Sequence, residues 1–240
     1  MNRITRKEMK SDKFAQEVKH TFQFLSTHPD EVKRYGAIAA VVLVLAGGVF
    51  FYLRYQENAR KTALELASQL TDATVGPQQQ PNQVLGQSNF PTQAAKDKAI
   101  KDAYTNLAAK YHGTQEGAIA QLALGGTAAD QGDLKEAERL YRDAADSAPG
   151  AYASVAKMSL AEIYAAKGQQ AEAEKLLRAL IDKPTAFVSK EEATIVLAQL
   201  LLRSKPQEAR KLLEPLRNSR TTISAKAIAT LGLIPQTQSN

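Results

Sequence analysis

Hydrophobic residues follow two different patterns along the chain. An uninterrupted apolar run, GAIAAVVLVLAGGVFFYL, extends from Gly36 to Leu53. Beyond residue 91, apolar residues instead recur every three or four positions, in blocks separated by polar turns. The first pattern is typical of a helix without a polar face, and the second of amphipathic helices that pack together. The sequence therefore predicts an all-α chain with a distinct apolar segment near its start.

The apolar segment has the length of a membrane span. It contains no charged residue, and as a helix it would be roughly 27 Å long, close to the ~30 Å hydrocarbon core of a bilayer. Lys33 and Arg34 precede it and Arg54 follows it. We predict a single transmembrane anchor over residues 35–54. A cleaved signal peptide and a buried core helix are the alternatives, but the long preceding tail and the lack of a polar face argue against them.

The charge distribution orients this anchor. The chain has a formal net charge of +6, and residues 1–34 hold eight Lys or Arg against five Asp or Glu. The remainder beyond Arg54 is nearly balanced, so it has no evident means of concentrating nucleic acid. The positive-inside rule predicts a cytoplasmic tail over residues 1–34 and an exported C-terminal part. In a bacterium with two membranes that part would be periplasmic and the anchor would lie in the inner membrane.

The tail has an apolar stripe of its own. Phe14, Val18, Phe22 and Leu25 fall on one face of a helix. Such a helix could lie on the anionic inner leaflet or dock onto a membrane partner, and both interpretations remain open.

The C-terminal part repeats itself with a period of 36 residues. Ala137, Ala173 and Ala209 are spaced by this interval, and Gly132 and Gly168 precede the first two at the same distance. Self-similarity at a fixed period of 20–50 residues indicates stacked repeats, whereas an ordinary helical bundle, the alternative, requires no repeated register. Each unit is predicted to be two helices joined by a short turn.

The first clear unit shows the turn chemistry. Helices are predicted over Ala118–Asp130 and Leu134–Ser147, with Gly132 as a left-handed C-cap and Asp133 as the N-cap of the second helix. Pro206 is predicted to open the second helix of the third unit. A terminal capping helix is predicted over 223–233.

These residues resemble the tetratricopeptide repeat, whose unit is roughly 34 residues long. The resemblance implies a solenoid of helical hairpins over residues 92–234. It would follow a helix over 55–73 that continues from the anchor and a Gln/Pro-rich loop over 74–91, and residues 235–240 would form a flexible C-terminus. The residues implied in repeat packing are Gly125, Gly132, Ala137, Tyr141, Ala144, Tyr164, Gly168, Ala173 and Ala209.

The resemblance also implies a concave groove lined by the first helix of each unit. The residues mapped to it are Ile119, Leu122, Gly126, Ala129, Val155, Met158, Glu162, Ala165, Glu191, Thr194, Ala198 and Leu201. None is Lys, Arg or Asn, so the groove is expected to take an apolar helix or extended peptide and not a peptide carboxylate. Alternatively, some of these residues are ordinary core and the C-terminal segment fills the groove.

Candidate catalytic chemistry is sparse. The three histidines, His20, His28 and His112, are isolated in sequence, and Gly125-Gly126 lacks the Gly-Lys-Ser/Thr ending of a phosphate loop. The chain has no cysteine, which excludes disulfides and cysteine zinc sites. We expect a protein that is not an enzyme and that binds no cofactor and no metal.

The order of segments is also similar to that of the YfgM-type group of inner-membrane proteins. That resemblance implies an ancillary role at the SecYEG (Sec) translocon and a link to periplasmic chaperones that handle exported proteins. Two other interpretations stay open. One is a scaffold of another envelope-assembly machine, such as outer-membrane protein assembly, division-linked peptidoglycan work or cytochrome maturation. The other is an enzyme or its regulatory subunit.

Overall fold

The structure is a computed structural model that describes residues 29–76, 89–218 and 222–234. The predicted helix carrying Phe14 and Leu25, the centre of the Gln/Pro-rich loop and residues 235–240 lie outside these ranges. The helices are α1 (Pro29–Thr71), α2 (Gln93–Lys110), α3 (Gln115–Asp130), α4 (Leu134–Ser147), α5 (Gly150–Ala166), α6 (Gln170–Asp182), α7 (Lys190–Leu201), α8 (Pro206–Leu213) and α9 (Thr222–Gly232).

The chain divides into two compact units, residues 1–59 and 60–240. In the first unit the described structure is the long N-terminal part of α1. Within α1, the helix Lys33–Thr71 contains a stretch of mean hydropathy 2.4, and none of that stretch is buried against protein. By length and composition the helix is able to cross a membrane, and a signal sequence meets the same two criteria. Helix α1 begins at Pro29, upstream of the predicted anchor, and its C-terminal part, from Arg60, belongs to the second unit.

The second unit is built from helical hairpins that pack in chain order. Helix α2 packs on α3, α3 on α4, and so on to α8, while α9 packs on both α7 and α8. The expected helical, tetratricopeptide-like architecture is therefore confirmed. A short parallel pairing of Thr74–Val75 with Asn89–Phe90 was not predicted from the sequence. It brings together the two ends of the Gln/Pro-rich segment.

The end of α1 and helix α2 form the first, degenerate hairpin. Ala67 of α1 packs with Tyr104 and Leu107 of α2. The Lys96 ammonium donates to the carbonyls of Thr71 and Ala73, at 2.7 Å each, and so satisfies acceptors at the C-terminus of α1. These two bonds tie the end of α1 to α2 at the point where the first hairpin turns.

The turn glycines have the conformation that their spacing predicted. Gly132 and Gly168 adopt φ of +81° and +76°, in the left-handed region. After Gly132, the Asp133 amide donates to the Ala128 carbonyl at 2.9 Å, and after Gly168 the Gln169 amide donates to the Tyr164 carbonyl at 2.8 Å. These are the bonds of a Schellman C-cap. The third turn has Ser204 at this position, and no residue other than glycine has positive φ in the described ranges. Its geometry therefore differs, and Pro206 opens α8.

The repeated alanines lie at the closest helix contacts. Ala137, Ala173 and Ala209 are all fully buried. A side chain with no atom beyond Cβ lets the second helix of each unit approach its neighbours closely. Tyr141 is also buried, in a cluster with Leu160 and Ile163 of the next unit, as the repeat pattern predicted. The 36-residue register thus corresponds to packing between units.

Candidate protein-binding groove

The first helices of two units present a shallow apolar surface. On α3 and α5 the predicted groove residues are half-buried, apart from Glu162, which is exposed. Leu122 packs on the cluster of Ala144, Ala145 and Ala156, and Met158 packs on the core around α7. The half-buried set is Ile119, Leu122, Gly126, Ala129, Val155, Met158 and Ala165. These residues all keep part of their surface exposed, and the surface that they are predicted to line is called the groove.

The prediction for the third unit is wrong. Thr194, Ala198 and Leu201 are buried, with 8%, 0% and 2% of their surface exposed, so they line no open groove. Ala198 and Leu201 belong to a core cluster that also contains Ala227 of α9 and Ile234 beyond it. Helix α9 packs on α7, where the Gln199 side chain bonds Thr230. In the third unit these three residues are therefore ordinary core, while Glu191 stays exposed at the start of α7.

A recess of about 400 Å³ lies between α5, α7 and α9. Met158 and Glu162 line it from α5, and Val196 and Gln199 from α7. The Gln199 amide of α7 donates to the Thr230 hydroxyl of α9 at 3.4 Å, and this bond links the two helices beside the recess. Two of the predicted groove residues, Met158 and Glu162, thus form one side of a recess whose other sides are α7 and α9.

Tyr141 connects the core to the groove. Its ring packs against Gly125, where a Cβ would lie 2.6 Å from Cε1. A Cβ at Gly126, one residue along α3, would lie 3.6 Å from the Tyr141 hydroxyl, so this hydroxyl reaches the groove floor. Burial raises the pKa of Tyr141, and the nearby Ser159 hydroxyl of α5 partly offsets that effect. The groove floor thus includes polar atoms as well as aliphatic ones.

Glu162 differs in electrostatic environment from the paired carboxylates of the repeat helices. Desolvation raises the pKa of Glu162. By contrast, the hydrogen bond from Lys167 lowers the pKa of Glu138, and those from Arg178 and Lys205 lower the pKa of Glu174. The Glu162 side chain forms neither a hydrogen bond nor an ion pair within the described part of the chain.

The paired carboxylates form a ladder between successive units. Glu138 of α4 bonds Arg142 on its own helix and Lys167 in the next turn. Glu174 of α6 lies 2.7 Å from Arg178 and 3.0 Å from Lys205 in the following turn. Sequence reasoning missed this ladder. The signal was present, because Glu138 and Glu174 are also 36 residues apart.

A second recess, of about 520 Å³, lies between α2, α3 and α4. There the His112 ring nitrogen Nε2 is 3.1 Å from Asp143 Oδ1, and the Gln121 amide donates to the other Asp143 oxygen. His112 looked isolated in sequence because Asp143 lies 31 residues further on. No cluster of three or more His, Cys, Asp or Glu that could hold a metal occurs among the described residues.

Comparison with known proteins agrees with this architecture. A family model described as a tetratricopeptide repeat-like domain matches residues 32–211. The match starts within α1, upstream of the repeat domain predicted from residue 92, and so includes the apolar segment. No curated protein and no solved structure matches the chain. Since the family model covers most of the sequence, the chain belongs to the family of tetratricopeptide repeat-like domains.

Proposed function

We propose that this protein is a non-enzymatic protein-interaction module anchored in the bacterial inner membrane by a single span. Its N-terminus lies in the cytoplasm and its repeat domain in the periplasm. The apolar helix over residues 35–54 supports the anchor, and the basic tail supports the orientation. A phosphatase fused after Asn240, active only in the periplasm, is expected to be active, whereas activity of a cytoplasm-only reporter there would refute the orientation.

The open part of the groove carries the proposal of protein binding. Over α3 and α5 it offers partly exposed apolar side chains such as Ile119, Leu122 and Met158. A surface of this kind fits the apolar side of a helix or of an extended peptide. The lack of a basic clamp on these helix faces argues for apolar contacts and against capture of a C-terminal carboxylate.

The partner that we propose is the Sec translocon, with periplasmic chaperones of exported proteins as the second ligand. The support is the order of segments: a basic tail, one span, a helix that continues from it, and degenerate repeats. A scaffold role in another envelope-assembly machine is the competing function, and it predicts a different set of partners.

The test is purification of the full chain in mild detergent, followed by mass spectrometry of the bound proteins. One variant replaces residues 35–54 with an unrelated apolar span, and a second carries Leu122→Glu with Met158→Glu in the groove. Its matched control places the same charges outside the groove, at the exposed Ala171 and Ala179 of α6. Gly126→Leu is a further variant that narrows the groove without adding charge, in case the double variant misfolds.

We expect translocon subunits to be recovered with the full chain and lost when the native anchor is replaced. We expect chaperones to be recovered with the full chain and lost in the groove variant. Recovery of another envelope complex in place of the translocon would favour the scaffold role. Partner sets that are identical for a folded groove variant and its control would refute binding in the groove.

A further inference from the structure

Glu162 lies in the groove without a counter-ion. Several acidic residues of α4 and α6 have cations within 4 Å, as in the pairs Glu136–Arg139 and Glu174–Lys205. The Glu162 side chain is exposed at the recess between α5, α7 and α9, and it forms no ion pair with any described residue. Unpaired carboxylates are common on fully solvated helix faces, but this one borders a recess that is partly lined by apolar side chains.

The surroundings of Glu162 combine apolar and polar side chains. Met158 precedes it by one helical turn, and Val196 and Leu233 line the other sides of the recess. Two further charged residues, Glu192 of α7 and Lys226 of α9, line the same recess, and neither forms an ion pair with Glu162. The carboxylate therefore faces the recess without an ion-pair partner, and a basic side chain bound there would supply one.

We propose that the groove selects peptide segments in which a lysine or arginine lies among apolar residues, with Glu162 as the acceptor of the basic side chain. This inference rests on the proposed function, because it defines the ligand of the same groove. The aliphatic stem of the basic residue packs on Met158 and Val196, and its charged head reaches the carboxylate. Apolar neighbours in the peptide pack on the floor formed by α3 and α5.

The small residues of the groove leave space for such a peptide. Gly126 occupies on α3 the repeat position that Glu162 occupies on α5, since the two are 36 residues apart. Without a side chain at Gly126, the peptide backbone approaches the floor beside the Tyr141 hydroxyl. Ala129 and Ala165, at the next groove position of α3 and α5, also have short side chains. The charged residue thus projects from a floor that is otherwise small and apolar.

The experiment measures binding of three fluorescent peptides to the full chain in detergent micelles by fluorescence anisotropy. The peptides share one apolar sequence and differ only at the central position, which is lysine, norleucine or glutamate. The protein variants are Glu162→Gln and, as a matched control on an exposed second-helix position, Glu172→Gln. We expect the wild-type chain to bind the lysine peptide about two- to fivefold more tightly than the norleucine peptide, and the glutamate peptide most weakly.

Glu162→Gln is expected to remove the preference for lysine, and Glu172→Gln to keep it. A contrary result is that the lysine and norleucine peptides bind equally tightly, with both lost when the groove carries Leu122→Glu and Met158→Glu. That result would overturn the role of Glu162 and leave the groove function standing. A lysine preference that survives Glu162→Gln would overturn it too. Binding of no peptide, or binding that the groove variants do not alter, would overturn both the inference and the proposed groove.

Discussion

The ring of Tyr141 occupies the space where a side chain at residue 125 would begin. A Cβ on Gly125 would lie 2.6 Å from Tyr141 Cε1 and 2.9 Å from Cδ1, far inside van der Waals contact. Gly125 is buried in α3, and Tyr141 is 7% exposed on α4. The absence of a side chain on one helix therefore sets how deeply the aromatic ring of the other can insert, and with it the angle of the hairpin.

Gly125→Ala is expected to destabilise the repeat domain. Since the ring is held in the core, either the tyrosine or the helix must move, which costs about 1–3 kcal/mol. Combining Gly125→Ala with Tyr141→Leu should reduce that cost, because a shorter side chain leaves room for the new methyl group. Chemical unfolding of the full chain in detergent, followed by circular dichroism, measures the double-mutant cycle. Gly150→Ala is the control, since nothing lies within 4 Å of its Cβ position.

Gly132→Ala tests the turn conformation separately from packing. At φ +81° an alanine is strained, yet no atom lies within 4 Å of its Cβ position. The expected loss is therefore purely conformational, about 1–2 kcal/mol of unfolding free energy. The control, Ser204→Ala, should have little effect because Ser204 is not in the left-handed region. Unchanged stability in Gly132→Ala would contradict the C-cap interpretation.

Glu174→Gln is expected to lower stability at neutral pH by about 1 kcal/mol, since it removes charge from two ion pairs. Because Arg178 and Lys205 lower the pKa of Glu174, its contribution is complete above the unfolded-state value of about 4.3. The contribution is lost as the pH falls through the lower folded-state pKa. The difference in unfolding free energy between wild type and Glu174→Gln should therefore disappear at acidic pH. Glu172→Gln, on an exposed position of the same helix, should show no such difference.

Glu162→Gln is expected to have the opposite effect on stability. Desolvation raises the pKa of Glu162, so the charged carboxylate is unfavourable in the folded chain at neutral pH. The variant should unfold at a slightly higher temperature, on the order of 1–3 °C, because solvent screening limits the cost at this exposed position. The gain should shrink as the pH falls through the raised folded-state pKa and disappear below the unfolded-state value of about 4.3, where Glu162 is protonated in both states. A lower Tm for Glu162→Gln would contradict the proposed environment.

Such opposite responses would separate structural from functional carboxylates. If replacing a carboxylate by an amide raises the stability of the fold and also weakens the preference for a ligand, the carboxylate serves binding and not folding. Glu138 and Glu174 instead stabilise the contacts between units.

Several features were readable from the sequence because they depend on short stretches of chain. Periodicity of apolar residues predicts amphipathic helices, and a glycine five residues before a repeated alanine predicts the left-handed turn at Gly132 and Gly168. The uncharged run up to Leu53 similarly predicts a helix able to cross a membrane. Both kinds of pattern arise from local geometry, and the described helices agree with them.

The error at Thr194, Ala198 and Leu201 has a different origin. Their spacing on the helix is that of groove residues, but all three are buried, and Ala198 and Leu201 belong to a core cluster with residues of α5, α6, α8 and α9. Whether a small apolar face stays open depends on the helices that pack around it. A rule based on position within one repeat carries no information about those helices.

Local sequence was enough to specify the helices, the turns between them, the 36-residue register and the apolar segment, because each depends on side chains near one another in the chain or on a simple repeat of them. Which faces stay open and which charges are paired emerged only when the hairpins were packed together. The Glu174–Lys205 and His112–Asp143 contacts each join residues 31 apart, and Glu162 has no ion-pair partner among the described residues around the edge of α9. These outcomes depend on how each hairpin is rotated on the last, and that rotation is set by the packing of all units together.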